Sequence, residues 1–169
     1  MVYFTSDLHL GHESVIRMQN RPFCSTEEMN EVLIANYNSI VHKNDTVYIL
    51  GDISHRIGVT YANELISRLN GKKYLIKGNH DKKFDETLFE EIRDFMTVSI
   101  NGHHIALMHY PMLSWPRSHH GSIMLHGHIH SDGTYNLENR ENGILRYDVG
   151  VDANHYAPVS MKQIEEFMK

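Results

Sequence analysis

TVYILGD, residues 46–52, is the stretch on which the fold of this chain turns. A run of β-branched and aromatic residues closed by Gly51-Asp52 predicts a short buried strand at 46–50 that ends on a carboxylate. On its N-terminal side, CSTEEMNEVLIANYNSIV (24–41) predicts a helix. Ser25 and Glu28 have capping-box spacing, and Met29, Val32, Leu33, Tyr37 and Ile40 recur at helical intervals. On its C-terminal side, residues 60–69 predict another helix, stopped near Asn70-Gly71. Outside these lie VYFTS (2–6) and KYLIKGN (73–79), both strand-like. Strand, helix, strand, helix, strand within the first 80 residues predicts βαβ units and a parallel sheet.

The second half changes character. FMTVSI (95–100) and HIALMHY (104–110) flank Asn101-Gly102, the dipeptide best suited to a two-residue hairpin, so an antiparallel pair is expected. SIMLHGH (122–128) and ILRYDVGV (144–151) read as further strands and SMKQIEEFM (160–168) as a terminal helix, with 111–121 and 131–143 as loops. The expectation is an α/β sandwich of mixed sheets in one domain spanning residues 1–169.

Composition narrows the function classes. Hydrophobic residues make up 41% and charged residues 22%, and no apolar run approaches the ~20 residues of a membrane span. The opening MVYFTSD enters a strand at once, without a basic start and apolar middle, so cytoplasmic location is expected. A single cysteine, Cys24, excludes an internal disulfide or a multi-thiolate metal site and reads as a passive small residue. A net charge of −5 argues against a broad surface for coating duplex DNA. Against this ordinary background stand 14 histidines, an excess that points to metal chemistry because neutral imidazole is the commonest metal ligand.

The unusual polar residues gather at strand ends. Asp7 and His9 follow the first strand, Asp52 the second, Asn79 and His80 the third, His109 the run HIALM, and His128 and His130 the run IML. In parallel α/β sheets ligands collect outside the carboxyl ends of strands, so these distant residues can share one crevice. Asp7/His9 and His128/His130 have i, i+2 spacing, which in extended backbone puts both side chains on one side. Two carboxylates, four of the imidazoles and one amide oxygen, His80 aside, form a mixed nitrogen–oxygen set suited to manganese, iron, zinc, nickel or cobalt rather than calcium or magnesium. Seven donors exceed what one catalytic ion takes from protein, so two divalent transition-metal ions sharing a carboxylate are expected, manganese foremost. Their charge outweighs that of Asp7 and Asp52, leaving a centre that attracts phosphate and can generate a nucleophile from water.

At these residues the sequence resembles the calcineurin-like metallophosphoesterase superfamily. The family's blocks D-x-H, G-D, G-N-H-[DE], H and G-H-x-H occur in order as Asp7-Leu8-His9, Gly51-Asp52, Gly78-Asn79-His80-Asp81, His109 and Gly127-His128-Ile129-His130. SDLHLGH, NGKKYLIKGNHD, HYPM with Trp115 nearby, and DVGVDANHYAPVS further resemble a small bacterial and phage branch. The resemblance implies a four-layer α/β sandwich of two mixed β-sheets flanked by helices around a dinuclear centre. It implies that Asp7, His9 and His130 hold one ion, Asn79, His109 and His128 the other, and that Asp52 bridges them. His80 would be the non-ligand histidine that stabilises the phosphorus centre or protonates the leaving oxygen, with Asp81 orienting its ring.

The remaining histidines have plainer readings. His126 is expected to pack beneath the site, His103 and His104 to be solvated beside the hairpin turn, and His42 to sit at a helix end. His12, in a glycine turn after His9, is a candidate substrate contact; His55, His119 and His120 are weaker ones. Lys72, Lys73 and Lys77 read as a solvated rim, and Asp152-Ala153-Asn154 as either site-lining or a turn. The expected activity is hydrolysis of a phosphate ester, a phosphodiester before a monoester because the short chain has little to spare for a specificity cap. A nuclease on the same site, or a binding module that keeps the fold without catalysis, are the alternatives. The substrate could be a nucleotide, and fold analogy alone does not choose it.

Overall fold

The computed structural model describes residues 1–169. Its first sheet contains β1 (Val2–Thr5), β2 (Thr46–Ile49), β3 (Lys72–Ile76), β4 (Glu91–Arg93) and β9 (Val159–Ser160), in the order β4-β3-β2-β1-β9. The first four are parallel, as the alternation of strands and helices predicts, and β9 adds antiparallel to β1. The second sheet, β5-β6-β7-β8, comprises β5 (Phe95–Ile100), β6 (His103–Met108), β7 (Ile123–His126) and β8 (Arg146–Asp148). Its first pair is antiparallel and the others parallel. At the β5–β6 turn Asn101 and Gly102 both take positive φ, +51° and +85°, the left-handed pair that a tight hairpin requires.

Both faces of the first sheet are buried, which explains its nearly continuous apolar strands. Tyr3, Val47, Ile49 and Leu75 face α2 (Thr26–Ile40) and α3 (Val59–Ser67), against Met29, Leu33, Tyr37, Leu65 and Ile66. Phe4, Leu50 and Ile76 face the second sheet, meeting Ile105, Leu107, Ile123 and Leu125, with Met161 and Ile164 of α5 (Met161–Phe167) closing one end. The outer face of the second sheet is covered by the loop carrying Trp115, which packs on Ala106 and Met124. Helix, sheet, sheet and outer cover make the expected four layers.

Several elements differ from the sequence reading. Residues 131–143, expected as a loop, contain α4 (Thr134–Glu141). Its buried residues are Asn136 and Asn139. Asn136 bonds both the N–H and the C=O of Asp148, so the inward face is polar and no apolar period marks it. A short α1 (Glu13–Met18), β4 and β9 also form where no element was expected. Ser25 caps α2 by accepting from the Glu28 N–H at 3.1 Å, while the Glu28 carboxylate accepts from Cys24 N–H, one residue before the position a full capping box would use. Lys73 is no solvated rim residue: it is buried, and its Nζ donates to the Leu69 carbonyl at 2.9 Å just past α3. Lys72 is exposed and Lys77 pairs with Asp94 at 2.9 Å, as rim residues would.

Candidate metal centre

The five blocks converge at the carboxyl ends of β1, β2, β3, β6 and β7, where the two sheets meet. The reason is not the extended geometry expected of the i, i+2 pairs. Asp7, His9, Asp52, His128 and His130 all have left-handed backbone, with φ between 48° and 74°. The chain turns at each of them, and the turns bring the side chains together. Non-glycine residues resist this region by roughly 1–2 kcal/mol each, a cost typical of functional sites.

Backbone hydrogen bonds lock the turns to one another. The N–H of Asp7 donates to Gly51 C=O at 3.0 Å and that of His9 to Asp52 C=O at 2.9 Å. Each carboxylate then uses one oxygen as a brace and presents the other. Asp7 Oδ2 accepts from the His128 N–H at 2.9 Å, whereas Oδ1 is buried with no hydrogen-bond partner. Asp52 Oδ1 accepts from the His80 N–H at 2.8 Å, whereas Oδ2 lies 3.6 Å from His9 Nε2, 3.5 Å from His109 Nε2 and 4.0 Å from His80 Nε2. Gly78 permits this approach, since a Cβ there would collide with the Asp52 carboxylate.

The imidazoles are oriented from behind. His109 Nδ1 bonds the Leu50 carbonyl at 2.7 Å, so its Nε2 faces Asp52 Oδ2 and Asn79 Oδ1, the latter at 3.1 Å. His130 Nδ1 bonds Asp152 Oδ2 at 2.7 Å, leaving Nε2 3.9 Å from Asp7 Oδ1 and 3.2 Å from His9 Nε2. Once the Nδ1 protons are committed, neutral rings at these positions offer only lone pairs inward. Lone pairs facing carboxylate and amide oxygens, with an orphaned carboxylate oxygen among them, form the environment of a cation. Two groups of three donor atoms each lie within 4.8 Å of one another: Asp7, His9 and His130, and Asp7, Asp52 and His109. His128 stands outside these groups but beside them, its ring 5.0 Å from His109 and 4.5 Å from Tyr110.

Electrostatics follow from burial and pairing. Burial raises the Asp7 carboxyl to about 6, partly offset by His130 and His109. Burial also works to raise Asp52, yet the His109 imidazole and the His80 N–H outweigh it and hold Asp52 low. For His130 burial pulls down, but Asp152 prevails and raises it.

Asp152 is the residue that the sequence reading left undecided. It receives Nε of buried Arg21 at 2.8 Å and Nη2 at 2.9 Å while holding His130, and Arg21 also donates to the carbonyls of Asp7 and Leu8. Asn154, by contrast, ties together the carbonyls of Asp148 and Gly150 and the Tyr147 hydroxyl. Asp81 differs from its expected role. Its carboxylate accepts from the N–H groups of Asp52, Ile53 and Gly78 at 2.8, 3.0 and 2.9 Å, so it braces the backbone rather than the His80 ring.

Beyond the candidate ligands, His80 lies against His55, centroids 3.9 Å apart and planes tilted by 43°, and His55 meets His12 at 4.5 Å. His12 is buried with neither ring nitrogen partnered, and burial, with His55 and Arg56 nearby, lowers it to about 4. His126 is fully buried beneath the site, as expected, with Nδ1 on the Gly127 carbonyl at 2.8 Å. His103 is part-exposed near Glu165, His104 is exposed beside Ser99, and His42 is exposed after α2. His119 and His120 are exposed on a short turn in the Trp115 loop.

Comparison with known proteins agrees with this geometry. The chain is 36% identical to an uncharacterized protein of Methanocaldococcus jannaschii over 99% of its own length and 91% of that protein's. It is 32% identical to the gene 66 protein of Mycobacterium phage L5, covering 76% of this chain and 77% of that one. The crystal structure of a protein of unknown function from Aquifex aeolicus superposes over 98% of both chains with a TM-score of 0.78 at 27% identity. The family model of the calcineurin-like phosphoesterases matches residues 1–149, which contain all five blocks, and this chain belongs to that family.

Proposed function

We propose that the chain is a phosphodiesterase that works with two divalent transition-metal ions, manganese being well suited to the donor set. Asp7, His9 and His130 would hold one ion, Asn79, His109 and His128 the other, with Asp52 between them. The observation that carries the reading is the set of inward lone pairs around Asp52 Oδ2, which stands nearly equidistant from His9 and His109. Bound there, such ions supply Lewis acidity and a water-derived nucleophile at neutral pH.

The chain's own residues then divide the work. Asp52 and Asp7, each braced by a backbone N–H, keep their free oxygens aimed into the centre without reorganisation. Asp152 holds the His130 ring, and Asp81 fixes the turn that carries Asn79 and His80. His80, part-exposed at the rim, donates a proton to the departing alcohol as the phosphorus–oxygen bond breaks and the oxygen of water joins phosphorus; solvent then restores its proton. The part-exposed rim at His80 leaves room for a second ester group beside the reacting phosphorus, which suits a diester better than a small monoester.

Hydrolysis of bis-p-nitrophenyl phosphate with added manganese tests this. The His80→Ala variant is expected to lose about 10²–10⁴-fold in kcat, the usual contribution of general acid catalysis. Asp52→Ala is expected to abolish metal-dependent turnover and one of two bound metal equivalents. Retention of activity by either variant would refute the mechanism. Faster turnover of p-nitrophenyl phosphate than of the diester would make the protein a monoesterase, and an inert protein without bound metal would be a binding module.

A further inference from the structure

A cavity of about 130 Å³ opens beside the metal centre on the side of His80. His55, His80, Arg56, Lys82, Lys83 and Phe84 are among the residues that line it. No carboxylate lines it. In a chain of net charge −5 this is an uneven distribution, and none of the three cations forms an ion pair, although Lys77, Arg68 and Arg93 nearby in sequence all do. Lys82, Lys83 and Phe84 also border a larger cleft of about 680 Å³, but there Glu86, Glu90, Glu91 and Asp94 offset the cations, so an anion is drawn to the His80 side, where Arg56 adds to them and no carboxylate offsets them.

We propose that this cavity is a specificity subsite for a second phosphate carried by the departing alcohol, so that the preferred substrate class is a phosphodiester whose leaving nucleoside is itself phosphorylated. The inference rests on the phosphodiesterase reading and on His80 as the acid that faces the leaving oxygen. His80 is shared by the centre and the cavity, so a group that leaves past it has the cavity within reach. Arg56 offers the planar fork that matches phosphate, Lys82 and Lys83 add point charge, and Phe84 gives the sugar or base an apolar contact. The three cations act on binding, whereas His80 acts on the reacting atoms.

The test compares dithymidine monophosphate with the same dinucleotide phosphorylated at both ends, so that either bond cleavage releases a phosphorylated nucleoside. Bis-p-nitrophenyl phosphate, whose leaving group carries no second anion, serves as reference. With the manganese-loaded full chain, the doubly phosphorylated dinucleotide is expected to have the lower KM. In the triple variant Arg56→Ala, Lys82→Ala, Lys83→Ala, its kcat/KM relative to the reference is expected to fall about tenfold or more, through KM, and the preference to fade as salt rises. A second readout needs no turnover: calorimetric titration of the metal-free chain with thymidine 3′,5′-bisphosphate, which the triple variant is expected to bind about tenfold more weakly. Equal KM values for the two dinucleotides, or an unchanged ratio in the variant, would overturn the subsite. If wild type hydrolysed none of the substrates, the phosphodiesterase reading would fall while the titration still decided whether the cavity binds a bisphosphate.

Discussion

At the scale of single residues, the centre depends on groups that never face a substrate. Asp152 anchors His130 and is itself clamped by Arg21, whose guanidinium also holds the carbonyls of Asp7 and Leu8. One buried arginine thus positions two of the candidate ligands. Partners of this kind typically account for 10–100-fold in metal affinity. The Asp152→Asn variant is therefore expected to need about 10–100 times more manganese for half-maximal activity, measured by titrating metal into the chelated protein. Unchanged affinity would mean that His130 keeps its orientation without the carboxylate, or is not a ligand. Asp81 belongs to the same class of support, since removing it strands three N–H groups at Asp52, Ile53 and Gly78, each worth about 1–3 kcal/mol when buried and unsatisfied.

At the scale of elements, β1, β2 and β7 end where chemistry begins because a carboxylate or histidine with left-handed backbone cannot continue a ladder. The β5–β6 turn, by contrast, is structural only. Gly102, at φ +85° with open space where a Cβ would stand, shapes the β5–β6 hairpin remote from the five blocks. The Gly102→Ala variant is expected to lose about 1–2 kcal/mol through backbone strain alone, a fall of several degrees in Tm for a chain of this size, with manganese affinity as in wild type. A Tm equal to wild type, read by thermal melting, would mean that the turn relaxes to another form. Apolar period and turn chemistry made β1, β2, β3, β5, β6, β7, β8, α2, α3 and α5 legible in the sequence. They missed the six-residue α1, α4, whose buried side is asparagine, and β4 and β9, which are two or three residues long and exist only because a neighbouring strand offers its edge.

At the scale of the whole molecule, the candidate ligands come from both sheets: Asp7, His9, Asp52 and Asn79 from the first, His109, His128 and His130 from the second. Metal binding would tie the sheets together at one end of their shared core. A ligand that binds only the folded chain stabilises it by about 2.7 kcal/mol per site at a hundredfold excess over Kd. Melting with manganese is accordingly expected to give a Tm higher than with chelator by roughly 10–20 °C for two sites, and by about half that for Asp52→Ala. No shift on adding metal would argue that the centre does not load.

The family, the parallel strands β1, β2 and β3 of the first sheet, the hairpin and the residues that meet at the centre were legible from short stretches, because local period, turn chemistry and the spacing of unusual side chains are properties of such stretches. How those side chains meet followed from the packing of the whole chain. Left-handed turns, not extended backbone, aim Asp7, His9, His128 and His130; Asp81 braces backbone rather than the His80 ring; Asp152 and Arg21 support His130; and three unpaired cations gather around one cavity. Asp81 with Asp52 and Ile53, Asp152 with His130 and Arg21, and Arg56 with Lys82 and Lys83 join segments far apart in the chain, and such meetings arise when the elements pack, so no local pattern announces them.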